Sequence, residues 1–105
     1  MKKLLSLMGL ALACAIPACA NAQDRDALQV RSLAATCANC HGTGGRAAEG
    51  SSVTSLAGLQ KDYIVTQMKA FKSGARPATI MHQLSKGYSD AQIEQIAGYF
   101  ANQKK

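Results

Sequence analysis

The run Cys37, Ala38, Asn39, Cys40, His41 constrains this chain more than any other feature. Two thiols two residues apart, followed at once by an imidazole, form the pattern in which cysteines add across the vinyl groups of haem. The histidine is then left under the iron as its proximal ligand. Order and spacing both carry the signal, because the two anchors span one edge of the porphyrin and the next residue reaches the metal. One covalent haem c is therefore expected, attached through Cys37 and Cys40, with His41 on the iron.

Other uses of these residues fit less well. A structural zinc site wants four ligands, and once an N-terminal export signal takes Cys14 and Cys19 with it, only the two histidines, His41 and His82, are available beyond Cys37 and Cys40, one of them directly adjacent to Cys40. A thioredoxin-like pair belongs in a βαβ pattern, and no segment here shows the sustained alternation of a strand. A nucleophilic cysteine needs a separate base, whereas His41 is the only histidine near the cysteines in sequence.

The N-terminus reads as an export signal: Lys2 and Lys3, an apolar stretch over residues 4–16, Pro17, then Ala20, Asn21, Ala22 as a small-x-small cleavage site. A cut after Ala22 gives a signal peptide over 1–22 and one domain over 23–105. The apolar stretch falls short of the roughly 20 residues a membrane span needs. A rival reading makes Cys19 a lipid-modified cysteine, but Pro17 sits badly in such a motif. The cut also removes Cys14 and Cys19, leaving Cys37 and Cys40; two cysteines this close can form a small disulfide in an oxidising compartment, and His41 tips the balance towards haem. Covalent haem attachment takes place outside the cytoplasm, so signal and motif agree on a bacterial periplasm.

After the cut, ten Lys and Arg stand against six Asp and Glu. This modest basic bias suits docking to an acidic partner and serves solubility equally well. Without a basic run interleaved with aromatics, nucleic-acid binding is not expected. So short a chain buries limited surface of its own, and a large apolar cofactor offsets the deficit.

Asp24 or Asp26 is a candidate cap for a first helix through Leu28, Val30, Leu33 and Ala34, which delivers the cysteines. Over residues 42–58 the composition shifts to Gly, Ser, Thr and Ala, and a loop close to the porphyrin is expected. Ile64, Met68 and Phe71 have helical spacing over 60–73, stopped by Ser73 and Gly74. Arg76 and Pro77 open an extended connection. Ser89 and Gln92 form a capping-box pattern ahead of Ile93, Ile96, Ala97 and Phe100. The expected fold class is all-α, with helices around one haem.

The second axial position on the iron has three candidates: Met68, Met81 and His82. Met68 lies on the apolar stripe of its helix, where a core methionine is the usual explanation. Met81 lies in the irregular connection after Pro77, where the backbone can bring a side chain over the haem face, and is the preferred ligand. His82 adjoins it and competes. A thioether opposite histidine raises the reduction potential relative to a second imidazole. Lys69, Lys72, Arg76, Lys86 and Lys104 are candidates to ring the haem edge, with a solvated surface as the alternative for each.

With the haem motif, the later methionine and the terminal helix in place, residues 23–105 resemble a class I cytochrome c. The resemblance implies first and last helices that cross, with His and Met on opposite faces of the haem. The run Arg76, Pro77, Ala78, Thr79, Ile80, Met81, then Lys86, Gly87, Tyr88, Ser89, Asp90 and Ala97, Gly98, Tyr99, Phe100, is similar to the haem subunit of flavocytochrome c sulfide dehydrogenase. In that family the matching methionine is the axial ligand. The implied partner is an FAD-containing, sulfide-oxidising flavoprotein that passes on electrons singly, and this chain would be its electron-transfer subunit rather than the catalytic chain. Related cytochromes commonly place a proline two residues before the leucine of a Leu-Ala-Gly run, its carbonyl accepting a hydrogen bond from the proximal imidazole. Here Thr54 holds that place before Leu56, Ala57, Gly58, and its carbonyl can accept the same bond. Position 82 is a second departure, where the family would have a small residue.

The first half, the Tyr63 to Phe71 helix and the run Gly74, Ala75, Arg76 also resemble one half of the two-haem cytochrome c4. That likeness implies the alternative of a free periplasmic carrier between respiratory complexes. An enzyme or gas sensor with an open sixth site is a different class, against which Met81 argues.

Overall fold

The computed structural model describes residues 19–105, in which four helices account for most of the chain. They are α1 (Cys19–His41), α2 (Lys61–Ser73), α3 (Met81–Lys86) and α4 (Asp90–Ala101), with a 3-10 turn at Thr43–Gly45 after α1. No strand occurs among the described residues, in keeping with the all-α expectation.

α4 carries the centre of the core. Ile93, Ile96, Ala97 and Phe100 recur on one helical face and are almost wholly buried. Burying each of the larger ones stabilises the fold by about 1.5–3 kcal/mol. Ser89 caps the helix as its sequence predicts: Gln92 N donates to Ser89 Oγ at 3.1 Å, and Ser89 N donates to Gln92 Oε1 at 2.9 Å. Against this face lie Ile64, Val65 and Met68 of α2 and Ala34 of α1. α1 and α2 both pack on α4, so the helix bearing the cysteines and the terminal helix share one core. α2 ends where expected, at Gly74, which takes the left-handed conformation at φ 82°.

The loop between α1 and α2 folds back onto α4 through glycine. Gly42, with φ 88°, turns the chain directly after His41, and a Cβ there would lie 1.8 Å from the Arg46 carbonyl oxygen. Gly45 is buried with φ 78°, a Cβ on it would sit 2.6 Å from the Phe100 ring, and its carbonyl accepts from Leu56 N at 2.7 Å. Gly58 N donates to the Phe100 carbonyl at 2.9 Å, closing the loop onto the end of α4.

Two expectations need correction. α1 begins at Cys19, upstream of both Asp24 and Asp26, so neither caps it; residues 20–27 contain no Gly or Pro to stop a helix. Leu28 is 64 % exposed, and α1 meets the core only from further along, at Leu33, Ala34 and Cys37. The connection after Pro77 is not irregular throughout: residues 81–86 form α3, too short for a sequence periodicity to announce it. Of the expected signal peptide, residues 1–18 lie outside the described residues, and the expected cut after Ala22 falls in the first turn of α1.

Replacing Gly45 by alanine forces both a left-handed residue with a side chain and a collision with Phe100. Gly45→Ala is expected to cost at least about 2 kcal/mol in denaturant unfolding of the haem-loaded protein. Ser89→Ala, which removes only the cap, is expected to cost about 1 kcal/mol in the same measurement.

Candidate functional site

α1, the glycine-turned loop, α2 and α3 enclose a largely apolar cavity of about 500 Å³. Cys37, Cys40 and His41 line it from α1, and Met81 lines it from α3, so all four residues singled out in the sequence reach one space. Cys37 and Cys40 stand one helical turn apart on the same face, and both are free thiols. Burial pushes the Cys37 thiol up from its ordinary value, with the Thr36 hydroxyl pulling partly the other way.

His41 is fixed by its other nitrogen. Nδ1 lies 2.6 Å from the Thr54 carbonyl oxygen. A carbonyl only accepts, so Nδ1 carries the proton, and in the neutral ring Nε2 is left with the lone pair a metal requires. The bond forms at the residue where the family has proline, and a main-chain carbonyl does not depend on the side chain beside it.

The three candidates for the opposite ligand separate clearly. Met68 is 7 % exposed in the core, and its sulfur accepts a hydrogen bond from Ser85 Oγ at 3.6 Å, although the side chain also touches the cavity wall. Ser85 is fully buried, so this thioether satisfies its hydroxyl. Met81 is partly buried at the first position of α3, facing the cavity. His82 does not line the cavity, and its Nδ1 is buried without a hydrogen-bond partner.

A hydroxyl relay joins two walls. Thr36 Oγ1 donates to the Leu33 carbonyl at 2.7 Å, which uses its only proton. Tyr88 must therefore be the donor in its 2.6 Å contact with Thr36 Oγ1. The main-chain carbonyl of Tyr88 accepts from Lys72 Nζ at 2.7 Å, and Lys72 also pairs with Asp90 at 3.1 Å. Tyr88 thus ties α1, beside Cys37, to the end of α2 and the start of α4. No motif announced this pairing; a tyrosine ahead of a helix cap and a threonine before the first cysteine were its only trace.

An apolar cavity of this kind, with two thiols, a tautomer-fixed imidazole and a thioether on its walls, has the donor set of covalent haem, and the residues fit that group. Residues 29–104 match the family model for cytochrome c. The chain belongs to the cytochrome c family. Its cofactor is accordingly haem c and its chemistry electron transfer. This cytochrome is 41 % identical over 73 residues to the cytochrome subunit of sulfide dehydrogenase from Chlorobaculum tepidum, a match covering 70 % of this chain and 64 % of that protein. It is 37 % identical over 71 residues to a thiosulfate dehydrogenase electron acceptor from Thiomonas intermedia, covering 68 % of this chain and 33 % of the relative. With cytochrome c4 of Pseudomonas aeruginosa it shares 37 % identity over 79 residues, 75 % of this chain and 39 % of the other. The cytochrome therefore spans less than two thirds of the length of each of these relatives. No helix among the described residues is long and apolar enough to cross a membrane.

The bond between Tyr88 and Thr36 is expected to show in a double-mutant cycle. Tyr88→Phe and Thr36→Val together should return a coupling energy of about 1 kcal/mol in unfolding of the loaded cytochrome. Strictly additive effects would mean that the two hydroxyls do not support each other.

Proposed function

We propose that this cytochrome is a periplasmic one-electron relay that takes electrons from a sulfide-oxidising, FAD-containing flavoprotein. Export depends on residues 1–22, removed after Ala22. Cys37 and Cys40 provide the two thioether attachments, and His41 and Met81 the axial ligands. The observation that carries the reading is the His41 to Thr54 bond, which leaves Nε2 free in the cavity that Met81 also enters. When bound, haem supplies an iron that cycles between ferric and ferrous; the protein sets its potential, exposure and docking. Held from two sides by His41 and Met81, the iron would have no open position for small molecules. A thioether in one of them favours the reduced form more than a second imidazole does. The buried Ser85 keeps the Met68 sulfur occupied, so the two methionines on the walls have separate tasks.

The similarity to the cytochrome subunit of sulfide dehydrogenase favours the flavoprotein partner. A second reading, a free carrier between respiratory complexes, is favoured by the similarity to cytochrome c4. Isolation from the native periplasm separates them: co-purification with a flavoprotein and sulfide-dependent haem reduction by that complex support the first. A cytochrome isolated alone, and not reduced by sulfide plus flavoprotein, supports the second.

Met81→Ala is expected to abolish the charge-transfer absorption of a thioether bound to ferric iron, lower the reduction potential and admit carbon monoxide to the reduced protein. Retention of that absorption would place the ligand elsewhere. His82→Ala is expected to leave it intact.

A further inference from the structure

The side chain next to the proposed thioether ligand has no task in the relay as described. His82 is half-buried at the second position of α3, off the cavity wall, and its Nδ1 is buried with no hydrogen-bond partner. A buried ring nitrogen left without a partner has lost its water and gained nothing in return. Its present place is therefore one that His82 leaves at little cost.

Met81 and His82 also share the least secured turn of the helical framework. α3 has Ile80 at its cap, an apolar side chain that accepts no hydrogen bond, whereas α4 opens on a full capping box. Gln83 N and Leu84 N close the first turn, and both donate to the single Ile80 carbonyl, at 2.9 and 3.1 Å. Just upstream, Pro77 has no N–H, and Ala78, Thr79 and Ile80 donate no main-chain hydrogen bond among the described residues. Both ends of this stretch are fixed. Arg76 N donates to the Ala70 carbonyl at 3.1 Å, and the Arg76 guanidinium lies over the Phe71 ring at the cavity, 4.7 Å from its centroid. On the far side Ser85 is bonded to Met68 and Tyr88 to Thr36. The chain between Arg76 and Ser85 is a strap tied at each end and loose where it carries the two candidate ligands. Successive residues of a helix point about 100° apart, so the intact first turn presents Met81 to the cavity and keeps His82 off it.

We propose that His82 is a reserve axial ligand: when the Met81 sulfur leaves ferric iron, the first turn of α3 opens and the His82 imidazole takes the vacated position. This rests on the haem reading above, with His41 on the other side of the iron. The exchange breaks one iron–sulfur bond and makes one iron–nitrogen bond, with no change in oxidation state. Ferric iron favours it, because a thioether opposite histidine stabilises the ferrous form more than a second imidazole does. Ferrous iron gains less, so carbon monoxide still enters reduced Met81→Ala. Other side chains are poorly placed to compete. The Met68 sulfur is occupied by Ser85, the Lys72 amine is bound to the Tyr88 carbonyl and to Asp90, and no lysine lines the cavity. The effect is to keep the oxidised haem closed to small anions after its thioether is lost.

The chain has two histidines, so with His41 on the iron a second imidazole within the same molecule has one source. Untagged, haem-loaded Met81→Ala and Met81→Ala/His82→Gln are compared in the ferric state at neutral pH, in buffer free of imidazole, by electron paramagnetic resonance and by azide titration. Met81→Ala should give a low-spin, bis-imidazole signal that does not vary with protein concentration, and the double variant should lose it. Azide should bind Met81→Ala at least about tenfold more weakly than the double variant, because His82 must first be displaced. A water-bound, high-spin haem in Met81→Ala, equal azide affinity in the two proteins, or a bis-imidazole signal that survives His82→Gln or grows with concentration overturns the proposal. Should Met81→Ala not accumulate, Met81→Leu, which keeps the volume but cannot ligate, is read in the same way against its own His82→Gln control. Wild type is first checked for covalent haem and for the thioether absorption. Their absence defeats the functional reading, whereas their presence together with an open haem in Met81→Ala defeats this proposal alone.

Discussion

The hydrogen bond from His41 Nδ1 to the Thr54 carbonyl sets the geometry on which the rest of the site depends. It ties the last residue of α1 to the loop that leads to α2, and it fixes which imidazole nitrogen faces the cavity. That loop is held in turn by the close approach of Gly45 to Phe100 and by the bond from Gly58 N to the Phe100 carbonyl. Phe100 is therefore a core residue with a second effect: packing in α4 is transmitted through the loop to the orientation of the His41 ring. Such a chain of contacts makes ligand geometry a property of the fold rather than of the attachment motif.

On the opposite wall the same economy appears in α3. Six residues place Met81 toward the cavity and Ser85, one turn later, into the core, where its hydroxyl meets the Met68 sulfur. A buried serine without a partner would destabilise the helix–helix contact, and on the proposed reading a free second thioether on the wall would compete with Met81 for the iron. One hydrogen bond removes both difficulties. Tyr88, bonded to Thr36 beside Cys37, then fixes the spacing between the wall that carries the histidine and the segment that follows α3.

Much of this was legible in the sequence because the informative residues act locally. The capping box at Ser89 and Gln92, the apolar stripe of α4, the stop at Gly74 and the haem motif all depend on neighbours within a turn or two. The Thr54 carbonyl was also predictable, since a main-chain acceptor needs only the right position relative to Leu56. What was not legible depends on distance. Ser85 and Met68, Tyr88 and Thr36, and the turning of Arg76 onto Phe71 toward the cavity are contacts whose partners carry no motif. α3 has too few residues for a period, and the early start of α1 reflects helix-compatible residues, with no Gly or Pro over 20–27.

The central claim is that this fold closes both axial positions of its haem with His41 and Met81. X-ray absorption at the iron edge of the purified, oxidised cytochrome addresses it most directly. The account predicts a single sulfur neighbour alongside nitrogen in the coordination shell, lost in Met81→Ala and retained in Met68→Leu. A shell of nitrogen alone, an open position, or a sulfur signal that survives in Met81→Ala would contradict it.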